Sequence, residues 1–192
     1  MEDELILSKI EKLKSQAKNG MKKEEKVVSK DIRPDKINYY LDIAKAICKR
    51  STCLRRRFGA LIVKDDVIIS TGYNGAPRGI PNCIDIGFCQ RKKLNVPPGE
   101  RYELCRSVHA EANSIINAAR TGGNTIGGIM FLHGENFDDN SIASMETAEP
   151  CKMCKRMIIN AGIKEVIIKT EKGYVVLSVD EWIKSENKKI TF

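Results

Sequence analysis

No apolar run in this chain of 192 residues reaches the roughly 18 residues that a membrane-spanning helix needs, so the sequence predicts no transmembrane segment and no membrane partner. The first residues, Met1-Glu2-Asp3-Glu4, also lack the basic start and the apolar stretch of a secretory signal. We therefore expect a cytoplasmic protein. Histidine is scarce as well: the chain has 2, His109 and His133, which leaves few candidates for an imidazole ligand.

Cysteine, in contrast, occurs 7 times. In a reducing compartment these thiols are not expected to form disulfides, and their odd number agrees with that expectation. Metal ligation or catalysis is the better explanation. The formal net charge of +8 suggests anionic partners, among which it does not choose between nucleotides, nucleic acid and anionic lipid.

Residues 1–30 differ in composition from the rest of the chain. Eight lysines and six acidic residues are interleaved there, with a weak apolar spacing at Ile6, Ile10 and Leu13. The pattern predicts a solvated, charged N-terminal helix that continues into a linker near Gly20. Residues 31–192 have the length of one ordinary globular domain.

Helical and strand periods follow one another after Pro34-Asp35. The apolar spacing predicts a helix there, and two short β-rich runs around Lys64-Asp65-Asp66 predict a β-hairpin. Later patterns predict helices over 109–120 and 151–160, strands over 129–132, 166–169 and 174–177, and a short helix around Trp182. Because strands and helices alternate in the second half, we expect a partly parallel sheet in a three-layer α/β/α domain.

Two short motifs carry the metal chemistry. His109-Ala110-Glu111 opens one predicted helix, and Pro150-Cys151-Lys152-Met153-Cys154 opens the next. Cysteines at i and i+3 lie on one face of a helical turn, so both sulfurs can reach one ion. With His109 they provide three ligands and leave a fourth tetrahedral position for water, as catalytic zinc sites do. Glu111 is the candidate proton shuttle beside that water.

A C-x-x-C pair alone would also suit a redox pair or half of a structural zinc site. Here it follows H-x-E, and this combination resembles the signature of zinc-dependent nucleobase deaminases. The likeness extends to Phe58-Gly59-Ala60-Leu61-Ile62-Val63 and to the loop Gly72-Tyr73-Asn74-Gly75-Ala76-Pro77-Arg78-Gly79, which is similar to the deoxycytidylate deaminases. It covers residues 35–170.

The resemblance implies a cytidine deaminase-like fold with a five-stranded mixed sheet, and a zinc-dependent deaminase domain over residues 31–192. It implies zinc at His109, Cys151 and Cys154, with Glu111 as the acid and base. The implied reaction converts dCMP to dUMP and ammonia and supplies thymidylate synthesis. The family also implies a homo-oligomer, a hexamer or a dimer, and in some members Mg²⁺ with a regulatory nucleotide.

Contacts to the substrate are further expectations. The resemblance suggests that Asn74 binds the sugar, although a turn asparagine would occupy the same place. Arg56, Arg57 and Arg78 are candidates for the phosphate because guanidinium groups suit that anion.

Two departures from the family pattern keep alternatives open. An acidic stretch over residues 134–148 separates the third strand from the proline–cysteine motif, and Glu149-Pro150-Cys151 is similar to adenosine and guanine deaminases, including enzymes that act on transfer RNA. The segment over residues 74–105, which those enzymes generally lack, favours a mononucleotide over RNA. A zinc-binding, competence-associated protein without catalysis is a third interpretation, against which the presence of Glu111 argues.

A second zinc is suggested by the remaining cysteines. The connection over residues 74–105 carries four of the six prolines and three cysteines, and four thiolates would hold it in place as a closed structural zinc does. The candidate ligands are Cys53, Cys83, Cys89 and Cys105. The alternative is buried cysteines without a metal, which is the interpretation we favour for Cys48.

Overall fold

The computed structural model describes residues 33–189, so the charged helix or linker predicted over residues 1–30 lies outside the described residues. The five strands are β1 (Arg56–Lys64), β2 (Val67–Tyr73), β3 (Ile129–Asn136), β4 (Glu165–Thr170) and β5 (Gly173–Ser178). The helices are α1 (Lys36–Cys48), α2 (Cys83–Ile86), α3 (Gln90–Lys93), α4 (Ala110–Thr121), α5 (Met145–Ala148), α6 (Lys152–Asn160) and α7 (Val179–Lys189), with a 3-10 turn at Tyr102–Leu104.

Helix α1 begins where the sequence predicts. Asp35 is its N-cap and accepts a hydrogen bond from the backbone nitrogen of Asn38 at 3.0 Å, which satisfies one of the free donors of the first turn. Its buried face carries Tyr40, Leu41 and Ala44 at helical spacing. That face packs on the sheet.

The sheet has the order β2-β1-β3-β4-β5. Strand β1 pairs antiparallel with both β2 and β3, β3 pairs parallel with β4, and β4 pairs antiparallel with β5. The predicted hairpin and the predicted parallel portion are both confirmed, and the sheet is the five-stranded mixed sheet of the predicted fold class.

Alternation along the central strands divides the apolar residues between two cores. Ala60 and Ile62 of β1 face the core that includes α4 and α6, whereas Leu61 and Val63 face α1. Strands β3 and β4 follow the same period of two. Helices therefore cover both faces of the sheet, and the three-layer α/β/α architecture is confirmed.

Helix α4 lies directly against β2 because Gly72 has no side chain. A Cβ atom at Gly72 would overlap the backbone nitrogen of Ser114 and the carbonyl oxygen of Ala110. The hydroxyl of Ser70 donates to the carbonyl of Ser114 at 2.8 Å, and Asn113 Nδ2 donates to the carbonyl of Tyr73 at 2.7 Å. These contacts fix the first turns of α4 on the sheet.

Two connections complete the described part of the chain. The segment over residues 74–105 contains α2, α3 and the 3-10 turn, so it is a folded connection and not an irregular loop. The acidic stretch continues β3 as far as Asn136, turns, and then forms α5 immediately before α6. Within residues 33–189, no helix is both long enough and apolar enough to cross a membrane.

Candidate active site

Two helix N-termini meet at the predicted metal ligands. His109 is the N-cap of α4, with φ −69° and ψ 155°, and Cys151 is the N-cap of α6, with φ −64° and ψ 165°. Cys154 lies one turn further along α6 and is buried. Because His109 and Cys151 have extended backbone, the directions of their side chains are not set by the helical repeat, and the two side chains can face one another.

The three side chains have the spacing of a tetrahedral metal site. His109 Nδ1 lies 3.6 Å from Cys151 Sγ and 3.4 Å from Cys154 Sγ. Zinc bonds of about 2.3 Å to sulfur and about 2.0 Å to nitrogen, at a tetrahedral angle, would place those atoms about 3.5 Å apart. Within the described residues this is the one group of three or more potential ligands whose atoms all lie within 4.8 Å of one another. The residues therefore fit a zinc ion with one coordination position open.

The ionisation of the group also suits a cation. A hydrogen bond from Cys154, with a further one from His109, lowers the pKa of Cys151 to about 4. Burial lowers the pKa of His109, but the hydrogen bond to Cys151 and the charge of Glu111 outweigh it and the net shift is upward. The pKa of Cys154 is raised, because this thiol is the donor to Cys151 and is buried. Cys151 is therefore the thiolate of this group in the absence of a metal.

Glu111 is the second residue of α4 and is 8% exposed. Burial raises the pKa of its carboxyl group, and the positive charge of His109 opposes that shift. A carboxyl with a raised pKa exchanges protons more readily near neutral pH than an exposed one. It lines the same cavity as His109 and Cys151.

That cavity has a strongly basic wall. Arg55, Arg56 and Arg91 line it together with His109 and Cys151. No ion pair joins any of the three arginines to a carboxylate among the residues that the structure describes. Burial lowers the pKa of Arg56, and repulsion from Arg55 lowers it further. Like charges that form no ion pair repel one another, and an anion bound between them would relieve this repulsion.

Of the residues predicted to bind the substrate, Asn74 and Arg56 line the cavity. Asn74 lines the cavity and is 7% exposed, but its amide bridges β1: Oδ1 accepts from Phe58 N at 2.8 Å, and Nδ2 donates to the Arg56 carbonyl at 2.9 Å. One amide hydrogen remains for a ligand. Arg56 lines the cavity, as described above.

Arg57 and Arg78 do not line the cavity. Arg57 lies over the ring of Phe137 at 5.3 Å and donates to Asn140. Exposed Arg78 donates to Asn117 Oδ1 at 2.9 Å, on the outer side of α4. Within this run of three arginines, Arg55 and Arg56 are the two that line the cavity.

The four cysteines proposed for a second zinc come to one region. Cys53, Cys89 and Cys105 line the cavity wall, and their charges help to raise the pKa of Cys83 after the larger effect of burial. In the described part of the chain they do not reach the 4.8 Å grouping that the first metal group reaches. A second zinc would have to draw the thiols together.

Two residues that support this side of the cavity, Arg91 and Tyr102, were not predicted from the sequence. Arg91 is 6% exposed, donates to the carbonyls of Pro97, at 2.7 Å, and Glu100, and lies 4.8 Å from the ring centre of Tyr102. Tyr102 in turn stands edge-on to His109, with ring centres 5.1 Å apart and an angle of 88°. No local motif marks either residue. The positions of these two residues beside His109 depend on how the segment over residues 74–105 folds.

Residues 34–170 match the family described as the cytidine and deoxycytidylate deaminase zinc-binding region. The chain is similar to the deoxycytidylate deaminase of Schizosaccharomyces pombe, with 35% identity over 138 residues that cover 72% of this chain and 38% of that relative. It is also similar to the deoxycytidylate deaminase of Mycobacterium phage D29, with 35% identity over 144 residues that cover 72% of this chain and 98% of the relative. The crystal structure of dCMP deaminase from the cyanophage S-TIM5, in complex with dCMP and dUMP, superposes with a TM-score of 0.52 and 26% identity, over 71% of this chain and 82% of that one.

Proposed function

Because the chain belongs to the cytidine and deoxycytidylate deaminase family, we propose that it hydrolyses dCMP to dUMP and ammonia. The observation that carries this proposal is the joint lining of one cavity by His109 and Cys151 of the group with metal spacing, by buried Glu111, and by arginines that form no ion pair with a carboxylate among the described residues. The first two suit hydrolysis of an amine on a base. The third suits the phosphate of a nucleotide.

His109, Cys151 and Cys154 would hold the zinc ion. Zinc bound there would lower the pKa of a coordinated water, which could then add to the carbon bearing the amino group. Glu111 accepts the proton that this water loses and delivers it to the neighbouring ring nitrogen. It then moves the proton of the newly added hydroxyl group to the amino nitrogen, so that ammonia leaves as the carbonyl group forms. Its burial keeps bulk water away from the proton that it carries.

The arginine wall supports a phosphorylated substrate. A nucleotide phosphate carries up to two negative charges and accepts the paired hydrogen bonds that a guanidinium group donates. Arg55 and Arg56 are the arginines at which we place the phosphate. Arg91 is held by backbone carbonyls behind Tyr102 and adds positive potential. Asn74 remains a candidate for the sugar through its second amide hydrogen.

We also propose a structural zinc at Cys53, Cys83, Cys89 and Cys105. Their convergence beside the cavity supports it, because a closed site there would fix the wall that carries Arg91 and Tyr102. A cytoplasmic homo-oligomer, a hexamer or a dimer, stays a prediction. So do regulation by a nucleotide with Mg²⁺ and a role in thymidylate supply.

Ammonia release from a panel of substrates tests the proposed function. We expect turnover of dCMP well above that of CMP, deoxycytidine, dCTP, adenosine, guanine and transfer RNA. Glu111→Gln should reduce it at least about 100-fold, the usual contribution of a proton-transfer residue. Glu171→Gln, which removes an exposed carboxylate in the turn between β4 and β5, is the matched control and should retain activity. Turnover of a purine or an RNA without dCMP would refute the substrate, and inactivity on the whole panel would favour a non-catalytic zinc protein.

A further inference from the structure

The turn that follows β3 places two carboxylates beside the proposed phosphate site. A second cavity of about 280 Å³ is lined by Arg55, Arg56, Lys92, Asn136, Asp138 and Asp139. Arg55 and Arg56 also line the cavity of the metal group, so these two arginines separate the two spaces. Since about 15 Å³ of such space holds one water molecule, the second cavity has room for several, and the extra phosphate groups of a longer nucleotide would enter it.

Hydrogen bonds within the turn give it a defined shape. Asn136 Nδ2 donates to Ser141 Oγ at 2.9 Å, and the carboxylate of Asp139 accepts from Ser141 N at 2.9 Å and from Ser141 Oγ at 2.7 Å. These bonds lower the pKa of Asp139, which keeps it ionised at neutral pH. Asn140 adopts the left-handed conformation, with φ 57°, that closes the turn.

The turn is also tied to the start of β1. Phe137 N donates to the carbonyl of Arg55 at 3.0 Å. The guanidinium of Arg57 lies 5.3 Å from the ring centre of Phe137 and donates to Asn140. Arg57 therefore anchors the turn from one side of β1, while Arg55 and Arg56 line the cavities. The turn that carries the two aspartates is thus held at the start of β1, and both aspartates line the second cavity together with Arg55 and Arg56.

Charge decides which phosphate chain this arrangement accepts. A monophosphate with two negative charges would balance Arg55 and Arg56. The charged groups then left in the second cavity are one cation, Lys92, and two anions, Asp138 and Asp139. A second or third phosphate group would enter a space whose remaining lining is net negative, and like charges at short range disfavour binding.

We propose that Asp138 and Asp139 are specificity-determining residues that select a nucleoside monophosphate over the corresponding diphosphate and triphosphate by repelling the additional phosphate groups. This inference rests on the proposed function, since it takes Arg55 and Arg56 as the phosphate site. It gives the acidic stretch between β3 and the proline–cysteine motif a role in choosing the substrate. The reaction itself is unchanged, and only the charge of the accepted nucleotide is set here.

The test is the ratio of kcat/KM for dCTP to that for dCMP in the zinc-loaded full chain. The variants are Asp138→Asn alone and Asp138→Asn with Asp139→Asn, in which asparagine can still accept the hydrogen bonds from Ser141. Two carboxylates about 8 Å from two extra phosphate charges, screened over about one Debye length, predict a rise of the ratio of about fourfold in the double variant. The rise should shrink at high salt. The control Glu171→Gln with Glu181→Gln changes the net charge equally, at two exposed positions, and should leave the ratio unchanged.

A ratio that stays the same as in the control, or that falls, overturns the proposal and would mean that the second cavity tolerates or attracts the longer phosphate chain. A binding measurement separates this failure from failure of the proposed function. Calorimetry of dCMP and dCTP with the Glu111→Gln chain gives the same ratio without turnover. Absence of dCMP turnover in the wild-type chain refutes the reaction, whereas an unchanged ratio of affinities in the double variant refutes only the selection.

Discussion

Replacing Arg56 by methionine should weaken turnover of dCMP without weakening the fold. Arg56 begins β1, and its carbonyl oxygen accepts the hydrogen bond from Asn74, which the substitution preserves. Its guanidinium is partly buried and repelled by Arg55 and, more weakly, by Arg91. Removing it therefore removes an unfavourable contact between like charges, and the melting temperature should stay the same or rise.

The size of the kinetic effect follows from the bonds that one guanidinium can make. Hydrogen bonds to a charged group contribute about 1.5–3 kcal/mol each, so two bonds to a phosphate contribute about 3 kcal/mol. Since 1.4 kcal/mol corresponds to a factor of ten, kcat/KM for dCMP should fall about 100-fold. Deoxycytidine has no phosphate, and its much slower turnover should change less than about threefold.

The assay is ammonia release from dCMP and from deoxycytidine, with thermal unfolding of the same samples. Arg78→Met is the control, because Arg78 is exposed and donates to Asn117 outside the cavity. An equal loss on both substrates would mean that Arg56 does not act through the phosphate. An unchanged dCMP rate in Arg56→Met, or a large loss in Arg78→Met, would place the phosphate elsewhere and refute the reasoning.

Three further predictions concern metal, pH and packing. Elemental analysis should find about two zinc ions per chain and about one in Cys83→Ser, and one zinc in the wild-type chain would refute the second site. Burial lowers the pKa of His133, which lies 3.0 Å from Glu135, so its contribution to stability is present above about pH 6.5 and is lost as the pH falls from there through the lower pKa of the folded state. Melting temperatures should accordingly fall less steeply on acidification in His133→Gln, and parallel curves would contradict this. Gly72→Ala should lower the free energy of unfolding in urea by about 1–3 kcal/mol, because its methyl group would overlap α4, and an unchanged midpoint would show that α4 can move.

The metal group was predictable because its information is local. Two ligands three residues apart, a proline before the first and a histidine two residues before a glutamate each specify a helix start, and the fold needs only to bring two such starts together. The three-layer fold was predictable for a related reason, since the apolar runs of β1, β3 and β4 alternate with segments of helical periodicity. The comparisons support the fold and the family. The roles of the individual residues stay predictions.

Which arginines line the cavity was not predicted correctly from the sequence in every case. Arg55, Arg56 and Arg57 are consecutive, and a shift of one residue along a strand moves a side chain to the opposite face. Arg56 has the parity of Ala60 and Ile62, which face the helices of the metal group, whereas Arg57 has the parity of Leu61. The alternation of β1 could have assigned Arg56 and Arg57 to these faces, had the strand been extended back to Arg56, whereas Arg55 precedes the strand and its place in the cavity does not follow from the alternation. Arg91 offered no comparable signal, because only the folding of a long connection brings it behind Tyr102.

The antiparallel pairing of β1 with β3 places the proposed catalytic residues and the turn proposed to select the substrate charge on different parts of the chain. It sets Arg56 opposite Asn136, so whatever follows β3 emerges next to the start of β1. Insertions after β3 can therefore grow, shrink or change sign beside the arginines while the helix starts that carry His109 and Cys151 stay fixed on the sheet. In a fold with this topology, substitutions in one turn can change which nucleotide is accepted while the catalytic residues keep their positions.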